Sequence, residues 1–129
     1  MELKLRQPVS TGTITGVHLQ ENGSTFDGEM AFQDFPVRAN RQKRRHILRF
    51  SMILEGPIGG SGGACHATAA MPMGDGTLIT VFSNGRWRRT GTTIVCRHVV
   101  DVSNGWMNLD IAEWDITGTA ITLAVHILE

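Results

Sequence analysis

The fold is decided by residues 76–128, which read GTLITVFSNGRWRRTGTTIVCRHVVDVSNGWMNLDIAEWDITGTAITLAVHIL. Three dipeptides punctuate this stretch: Asn84-Gly85, Asn104-Gly105 and Thr117-Gly118. Glycine and asparagine tolerate the positive φ that tight hairpin turns require, so each dipeptide predicts a turn. The segments between the dipeptides are rich in Val, Ile, Thr and Trp, which favour strands. The stretch is therefore typical of an antiparallel meander.

The rest of the chain extends this pattern, and no long amphipathic helix is indicated. Strands are predicted at residues 11–19, 25–35, 46–55, 64–71, 77–83, 86–89, 91–102, 106–114 and 120–128. Residues 37–45 are expected to form a loop with room for a short helix. We predict an all-β fold over residues 1–129, a single antiparallel β-barrel (or a flattened barrel or sandwich) of about eight to nine strands with little helix. The last strand runs almost to the final residue, which suits a closed barrel because closure pairs both edge strands.

The composition narrows the class of protein. The formal net charge is +0, so no overall field draws the chain toward nucleic acid or an anionic membrane. No apolar run approaches the roughly 20 residues of a membrane span, and the first residues lack the apolar core of a signal peptide. Two cysteines do not make a disulfide framework. We expect a cytoplasmic protein that does not associate with a membrane.

Four residues are potential zinc ligands by type: Cys65, His66, Cys96 and His98. Alternation along a strand puts Cys65 and His66 on opposite faces, whereas Cys96 and His98 share one face. The four side chains therefore do not converge. We predict no metal site and no cofactor, with the cysteines acting as small buried hydrophobes.

His98 is the first candidate catalytic residue. It shares a face with Ile94, Cys96 and Val100, which predicts that its side chain points inward. Partial burial moves the pKa of an imidazole and suits it to general acid or base chemistry. The alternative is a core histidine that donates one hydrogen bond. His66, which shares its face with small residues, leaves the same two alternatives open.

Trp106, Asn108 and Asp110 fall on one face of the next predicted strand. An aromatic ring, an amide and a carboxylate would suit a small organic ligand with an apolar body and few polar groups. Asp110 would then be the second ionisable group of the site. The alternative is an outward face, with Trp106 in a contact between subunits.

Basic residues crowd positions 38–49, whereas residues 101–129 carry acidic side chains and no Lys or Arg. Charge runs usually form solvated faces. We expect these two segments to lie next to each other, within or between subunits, so that their opposite charges compensate. One basic segment without aromatic residues between its cations offers only a small surface for binding nucleic acid, so no nucleic-acid partner is expected. Trp87, which stands between Arg86 and Arg88, is typical of an exposed cation–π cluster.

Two motifs resemble those of PilZ domains, small β-barrels that bind a cyclic dinucleotide. Residues 45–49 (RHILR) match the R-x-x-x-R motif, and residues 101–105 (DVSNG) are similar to D/N-x-S-x-x-G, one residue short at the glycine. The resemblance implies that Arg45 and Arg49 clamp phosphates. A whole hairpin separates the two motifs here, so this reading is disfavoured.

A second resemblance favours a different barrel. Residues 23–28 (GSTFDG), 75–81 (DGTLITV) and 106–109 (WMNL), with Gly118 and Val125 after them, look like the motifs of an uncharacterised bacterial β-barrel family. The resemblance covers about a third of the chain. It implies a barrel of the calycin or allene-oxide-cyclase kind and no established activity.

Three functions remain open at this point. The first is a small-molecule barrel, either a binder or a cofactor-free acid–base enzyme of the cyclase, isomerase or lyase type, with His98, His66, Asp110, Trp106 and Asn108 in its wall. The second is a self-assembling structural or interaction protein, and we expect a homo-oligomer. The third is a binder of an anionic ligand through the basic segment, including Arg45 and Arg49. Whether the chain is an enzyme stays open.

Overall fold

Alternating inward and outward residues build eight strands in the computed structural model, which describes residues 2–33 and 45–129. The strands are β1 (Ser10–Gln20), β2 (Gly23–Gln33), β3 (Arg45–Glu55), β4 (Gly62–Pro72), β5 (Leu78–Thr90), β6 (Thr93–Val102), β7 (Met107–Asp115) and β8 (Ala120–Ile127). The expected loop or short helix at residues 37–45 lies outside the described residues, except for the backbone of Arg45, which begins β3.

The strands pair antiparallel in chain order and close into a barrel. Closure is made by β1 and β8, with Ser10 opposite Leu123 and Thr13 opposite Ala120. The prediction of an all-β antiparallel barrel is confirmed. Among the described residues there is no helix long and apolar enough to span a membrane.

Side-chain alternation places the core inside the barrel. In β6 each second residue from Ile94 to Val102 is buried. In β7 the buried set is Asn108, Asp110, Ala112 and Trp114. The interior is largely filled by apolar side chains, and the ring centroids of Phe26 and Trp114 lie 5.1 Å apart in an edge-to-face arrangement.

The turns at Asn104-Gly105 and Thr117-Gly118 are present, but the predicted turn at Asn84-Gly85 is wrong. Strand β5 runs through that dipeptide without a break. Gly85 does not take a positive φ; a Cβ there would overlap the carbonyl oxygen of Arg97 on β6. The glycine therefore serves close approach of two backbones, which is the other common use of glycine in a strand.

Continuity of β5 also reverses the prediction for Trp87. Its side chain is only 2% exposed, and its indole N–H donates a 2.8 Å hydrogen bond to the Glu55 carbonyl. The predicted exposed cation–π cluster is wrong. Alternation points Trp87 inward and its neighbours Arg86 and Arg88 outward, so the ring and the cations lie on opposite faces of the sheet.

An N-terminal arm, residues 2–9, continues the pairing along β8 beyond the end of β1. Leu5 bridges to His126. The Arg6 N–H donates to the Val125 carbonyl at 2.9 Å, and the Ile127 N–H donates to the Lys4 carbonyl at 2.8 Å. The arm thereby holds the Arg6 side chain at one end of the barrel.

Candidate functional site

The candidate site is the barrel interior around two facing residues, His98 on β6 and Asp110 on β7. The register puts them directly opposite each other, so their Cβ atoms are neighbours on the inner face. His98 is 6% exposed and Asp110 is 8% exposed. The inward positions follow from the same alternation that buries the apolar residues of both strands.

Two interior cavities of about 50 Å³ each adjoin this pair. The first is lined by His98, Ser83 and Asp110 among mainly apolar side chains. The second is lined by Asp110, Asn108 and Arg6, again among apolar side chains. Asp110 contributes to the walls of both cavities, so the two cavities are neighbours.

Several polar atoms on the cavity walls lack hydrogen-bond partners among the described residues. They are both ring nitrogens of His98, Oδ1 of Asp110 and Oγ of Ser83. Leaving a buried donor or acceptor unsatisfied costs about 1–3 kcal/mol. Such groups are rare in native proteins and call for a partner, either water or a ligand. Four such atoms around one interior space mark it as a polar site inside an apolar barrel.

Burial shifts the pKa values of the two ionisable groups in opposite directions. It lowers the pKa of His98 to about 4, because the imidazolium loses its hydration. It raises the pKa of Asp110 to about 7, because the carboxylate loses its hydration, and the Arg6 guanidinium offsets part of this rise. Near pH 6 the pair is therefore a neutral imidazole facing a protonated carboxyl group. A base and an acid then stand side by side.

Arg6 gathers the three residues predicted on the face of β7. Its Nε–H donates a 2.7 Å hydrogen bond to Oδ1 of Asn108, and its guanidinium carbon lies 4.0 Å from the ring centroid of Trp106. A further N–H donates to the Glu129 carbonyl at 2.8 Å. Arg6 also acts electrostatically on Asp110. Trp106, Asn108 and Asp110 are thus brought together, with Trp106 on the rim and the other two inside.

The remaining predicted site residues lie elsewhere. His66 sits on the outer face of β4, where its Nδ1 is 3.8 Å from the Glu55 carboxylate. Arg49 is outside on β3, with its Nε 3.9 Å from the Glu29 carboxylate. The Arg45 side chain lies outside the described part of the chain. The structure brings none of the described side chains of this set to the His98–Asp110 pair.

The potential metal ligands occupy the faces that alternation predicts: Cys96 and His98 point inward together, and Cys65 and His66 lie on opposite faces of β4. Cys65 and Cys96 are both buried and free of disulfide. A hydrogen bond to Cys65 raises the pKa of Cys96, and burial raises it further, so this thiol keeps its proton. Within residues 2–33 and 45–129 no group of three or more His, Cys, Asp or Glu side chains could hold a metal ion.

Two residues of the site were missed in the sequence. Ser83 shares the inner face of β5 with Ile79 and Val81, and alternation within the predicted strand 77–83 is enough to place it there, although that strand ends at this residue in the prediction. Arg6 precedes the first strand and carries no local signal, because its partners stand about 100 positions further along the chain. Strand parity could have found Ser83, but nothing local could have found Arg6.

No protein-family model, no curated protein and no solved structure matches this chain. The two family resemblances therefore remain predictions. The geometry of the barrel interior carries the functional proposal.

Proposed function

We propose that the barrel binds a small, mainly apolar organic molecule in its interior, with one polar group held by His98 and Asp110. The observation that carries this proposal is the set of buried, unpartnered polar atoms on the walls of the first cavity. A ligand carbonyl or hydroxyl placed between the two side chains would satisfy atoms that are otherwise costly to bury.

The cavity volumes limit the size of the ligand. One water needs about 10–15 Å³ of such volume, so a space of about 50 Å³ holds a few waters or a very small ligand. The two cavities share Leu48, Val81 and Leu123 in their walls. Rotamer changes of these side chains would join the cavities. A ligand of about ten non-hydrogen atoms then becomes the upper bound that we propose.

The same pair supports acid–base chemistry without a cofactor. Neutral His98 can take a proton from a carbon or oxygen next to a carbonyl, while protonated Asp110 donates a hydrogen bond or a proton to the carbonyl oxygen. Their pKa values of about 4 and about 7 keep both groups in the required forms between those pH values. Isomerisation by proton transfer is the reaction class that we propose for these two groups.

A fragment screen tests the binding proposal. Monocyclic ketones, phenols and alcohols of up to about ten non-hydrogen atoms would be titrated into ¹⁵N-labelled protein, with amide shifts as the readout. We expect the largest shifts at residues 96–100 and 108–112. Binding should weaken at least about tenfold in His98→Gln and Asp110→Asn, as expected for the loss of a buried hydrogen bond.

His66→Gln is the matched control, because His66 lies on the outer face. It should bind the same fragments as the unaltered protein. Fragments that bind all variants equally, or shift only outer-face amides, would contradict an interior site. The absence of any interior binder across the three chemical classes would do the same.

Assembly with further copies of the chain is a second candidate function. It is favoured by large apolar side chains on the outside of neighbouring strands β5 and β6, where Phe82 is 51% exposed and Val99 is 45% exposed. Burying such side chains between subunits is favourable. Light scattering tests it: an oligomer that Phe82→Ser dissociates is expected, and a monomer at all concentrations would count against it.

A further inference from the structure

Three arginines form a second cluster, on the outside of the barrel and on the opposite side of the sheet from the His98–Asp110 pair. Arg86 and Arg88 are two apart on β5, so both point outward. Arg97 on β6 stands directly opposite Arg86. All three side chains are exposed.

Their positive charge is not compensated locally. Like charges directly opposite on neighbouring strands are destabilising. In the described part of the chain, the ion pairs within 4 Å involve Arg49 and His66 and none of these three arginines. Glu113 on β7 stands beside Val95, and it makes no such pair with the cluster. The fold therefore concentrates three cations at this place.

The arginines border a groove of about 500 Å³. Its other wall is Ser61 with the first two residues of β4, Gly62 and Gly63, which carry no side chain over the backbone. Gly62 sits against Trp87, since a Cβ at Gly62 would approach the Trp87 carbonyl oxygen within 2.5 Å. A small-molecule site usually has about 300–1,000 Å³, so the groove has the size of one.

The wall of the groove is held in place by a fourth arginine. The Arg89 Nε–H donates to the Gly60 carbonyl at 3.0 Å, and its Nη2–H donates to the Gly59 carbonyl at 2.8 Å. The Arg89 backbone N–H donates to the Ser61 carbonyl at 2.9 Å. A glycine-rich loop is thereby tied to β5 at the edge of the groove.

We propose that this groove binds a compound with two or more linked phosphate groups. Guanidinium groups match phosphate oxygens in paired hydrogen bonds and are weakly hydrated, so three of them suit a diphosphate better than a single anion. The bare glycine backbone lets such a compound lie close to the sheet. This site is separate from the interior cavities and does not depend on the function proposed for them.

Isothermal titration calorimetry with pyrophosphate, adenosine triphosphate, inorganic phosphate and citrate tests the proposal. Pyrophosphate should bind at least about tenfold more tightly than inorganic phosphate or citrate, and less tightly at about 200 mM than at about 50 mM salt. Adenosine triphosphate equal to pyrophosphate indicates recognition of phosphates alone. Tighter binding of the nucleotide indicates that the base also finds contacts. Both results support the site.

Substitutions test whether pyrophosphate binds in this groove. Arg86→Gln and Arg97→Gln should each weaken pyrophosphate binding about tenfold, as expected for a charged hydrogen bond. Lys4→Gln, which removes an exposed cation outside the groove, is the matched control and should change the affinity for pyrophosphate less than about twofold. Equal losses in all three variants, no pyrophosphate binding at low salt, or citrate binding as tightly as pyrophosphate would overturn the proposal.

Stability without ligand gives a second readout. Because Arg86 and Arg97 repel each other, Arg97→Gln should unfold at a higher urea concentration than the unaltered protein, and added pyrophosphate should raise the midpoint of the unaltered protein more than that of the variant. A variant that unfolds earlier, with the same gain from pyrophosphate, would contradict both the uncompensated charge and the site.

Discussion

Replacing Asp110 by asparagine should change how stability depends on pH. The pKa of Asp110 rises from 3.8 in the unfolded chain to about 7 in the barrel. The folded protein therefore holds this proton more tightly. The contribution of Asp110 to the free energy of unfolding is full below about pH 4 and is lost as the pH rises to about 7. At about 1.4 kcal/mol per pH unit, the loss is about 4 kcal/mol.

His98 acts in the opposite direction over nearly the same range. Its pKa falls from 6.5 to about 4 on folding. Between these pH values the unfolded chain therefore binds a proton on His98 and the folded chain does not. This lowers stability as the pH drops from about 6.5 to about 4, by about 3 kcal/mol. Between those pH values the two slopes nearly cancel in the unaltered protein. Each single substitution should expose the slope of the other residue.

Urea unfolding followed by circular dichroism measures the effect between about pH 4 and pH 7.5. The free energy of unfolding of Asp110→Asn, minus that of the unaltered protein, should rise by about 1.4 kcal/mol per pH unit up to about pH 7. The same difference for His98→Gln should fall at a similar rate up to about pH 6.5. Difference curves with slopes of opposite sign in the two variants are the expected result.

The control is Asp101→Asn on the outer face of β6, where the side chain is exposed. Because its side chain stays in water, the two buried residues should give much steeper difference curves than this control. Flat curves for Asp110→Asn and His98→Gln would refute the reasoning, because they would mean that neither group loses its hydration in the barrel. Slopes of the same sign in both variants would also refute it.

Substitutions of Gly85 and Arg6 test particular contacts, each beside a comparison variant. Gly85→Ala would push a methyl group into the Arg97 carbonyl and should cost about 1–3 kcal/mol in urea unfolding. Gly118→Ala, whose added Cβ has its nearest atom at 3.9 Å, should stay within about 0.5 kcal/mol, and equal costs would contradict the close approach. Arg6→Ala should cost about 1–2 kcal/mol through the lost hydrogen bond to Asn108; it should also raise the pKa of Asp110 in a carbon-detected NMR titration. Arg6→Lys should restore that pKa more fully than the stability, and an unchanged pKa in Arg6→Ala would contradict the contact.

Much of the barrel could be predicted from strand alternation. Side chains in a strand point alternately to the two faces, so the inward position of His98 follows from the apolar residues that share its face. Alternation puts Asp110 on one face with Trp106 and Asn108, but it left open whether that face points inward. The boundaries of β3 and β7 differ from the prediction by one residue. The error at residues 84–85 arose because asparagine and glycine fit either a turn or a strand whose neighbours come close.

The candidate site was only partly predictable. His66 obeys the predicted alternation, yet the face it occupies turned out to be the outer one. Periodicity separates two faces, but it does not say which face is inside when the side chains on both are small, as they are around His66. The sequence did not indicate that Arg6 belongs to the site, because its hydrogen-bond partners are residues more than 100 positions away.

Apart from the division of β5, the sequence by itself determined the strands and which side chains share a face within them, since both depend on local backbone geometry. Only the tertiary structure decided which residues of neighbouring strands stand opposite one another. That register pairs His98 with Asp110 and Arg86 with Arg97. Closure of the barrel then removes water from the first pair and leaves the second pair in it. The same alternation thus yields a buried His98–Asp110 pair inside and a cationic groove outside, because solvent access is a property of the closed sheet as a whole.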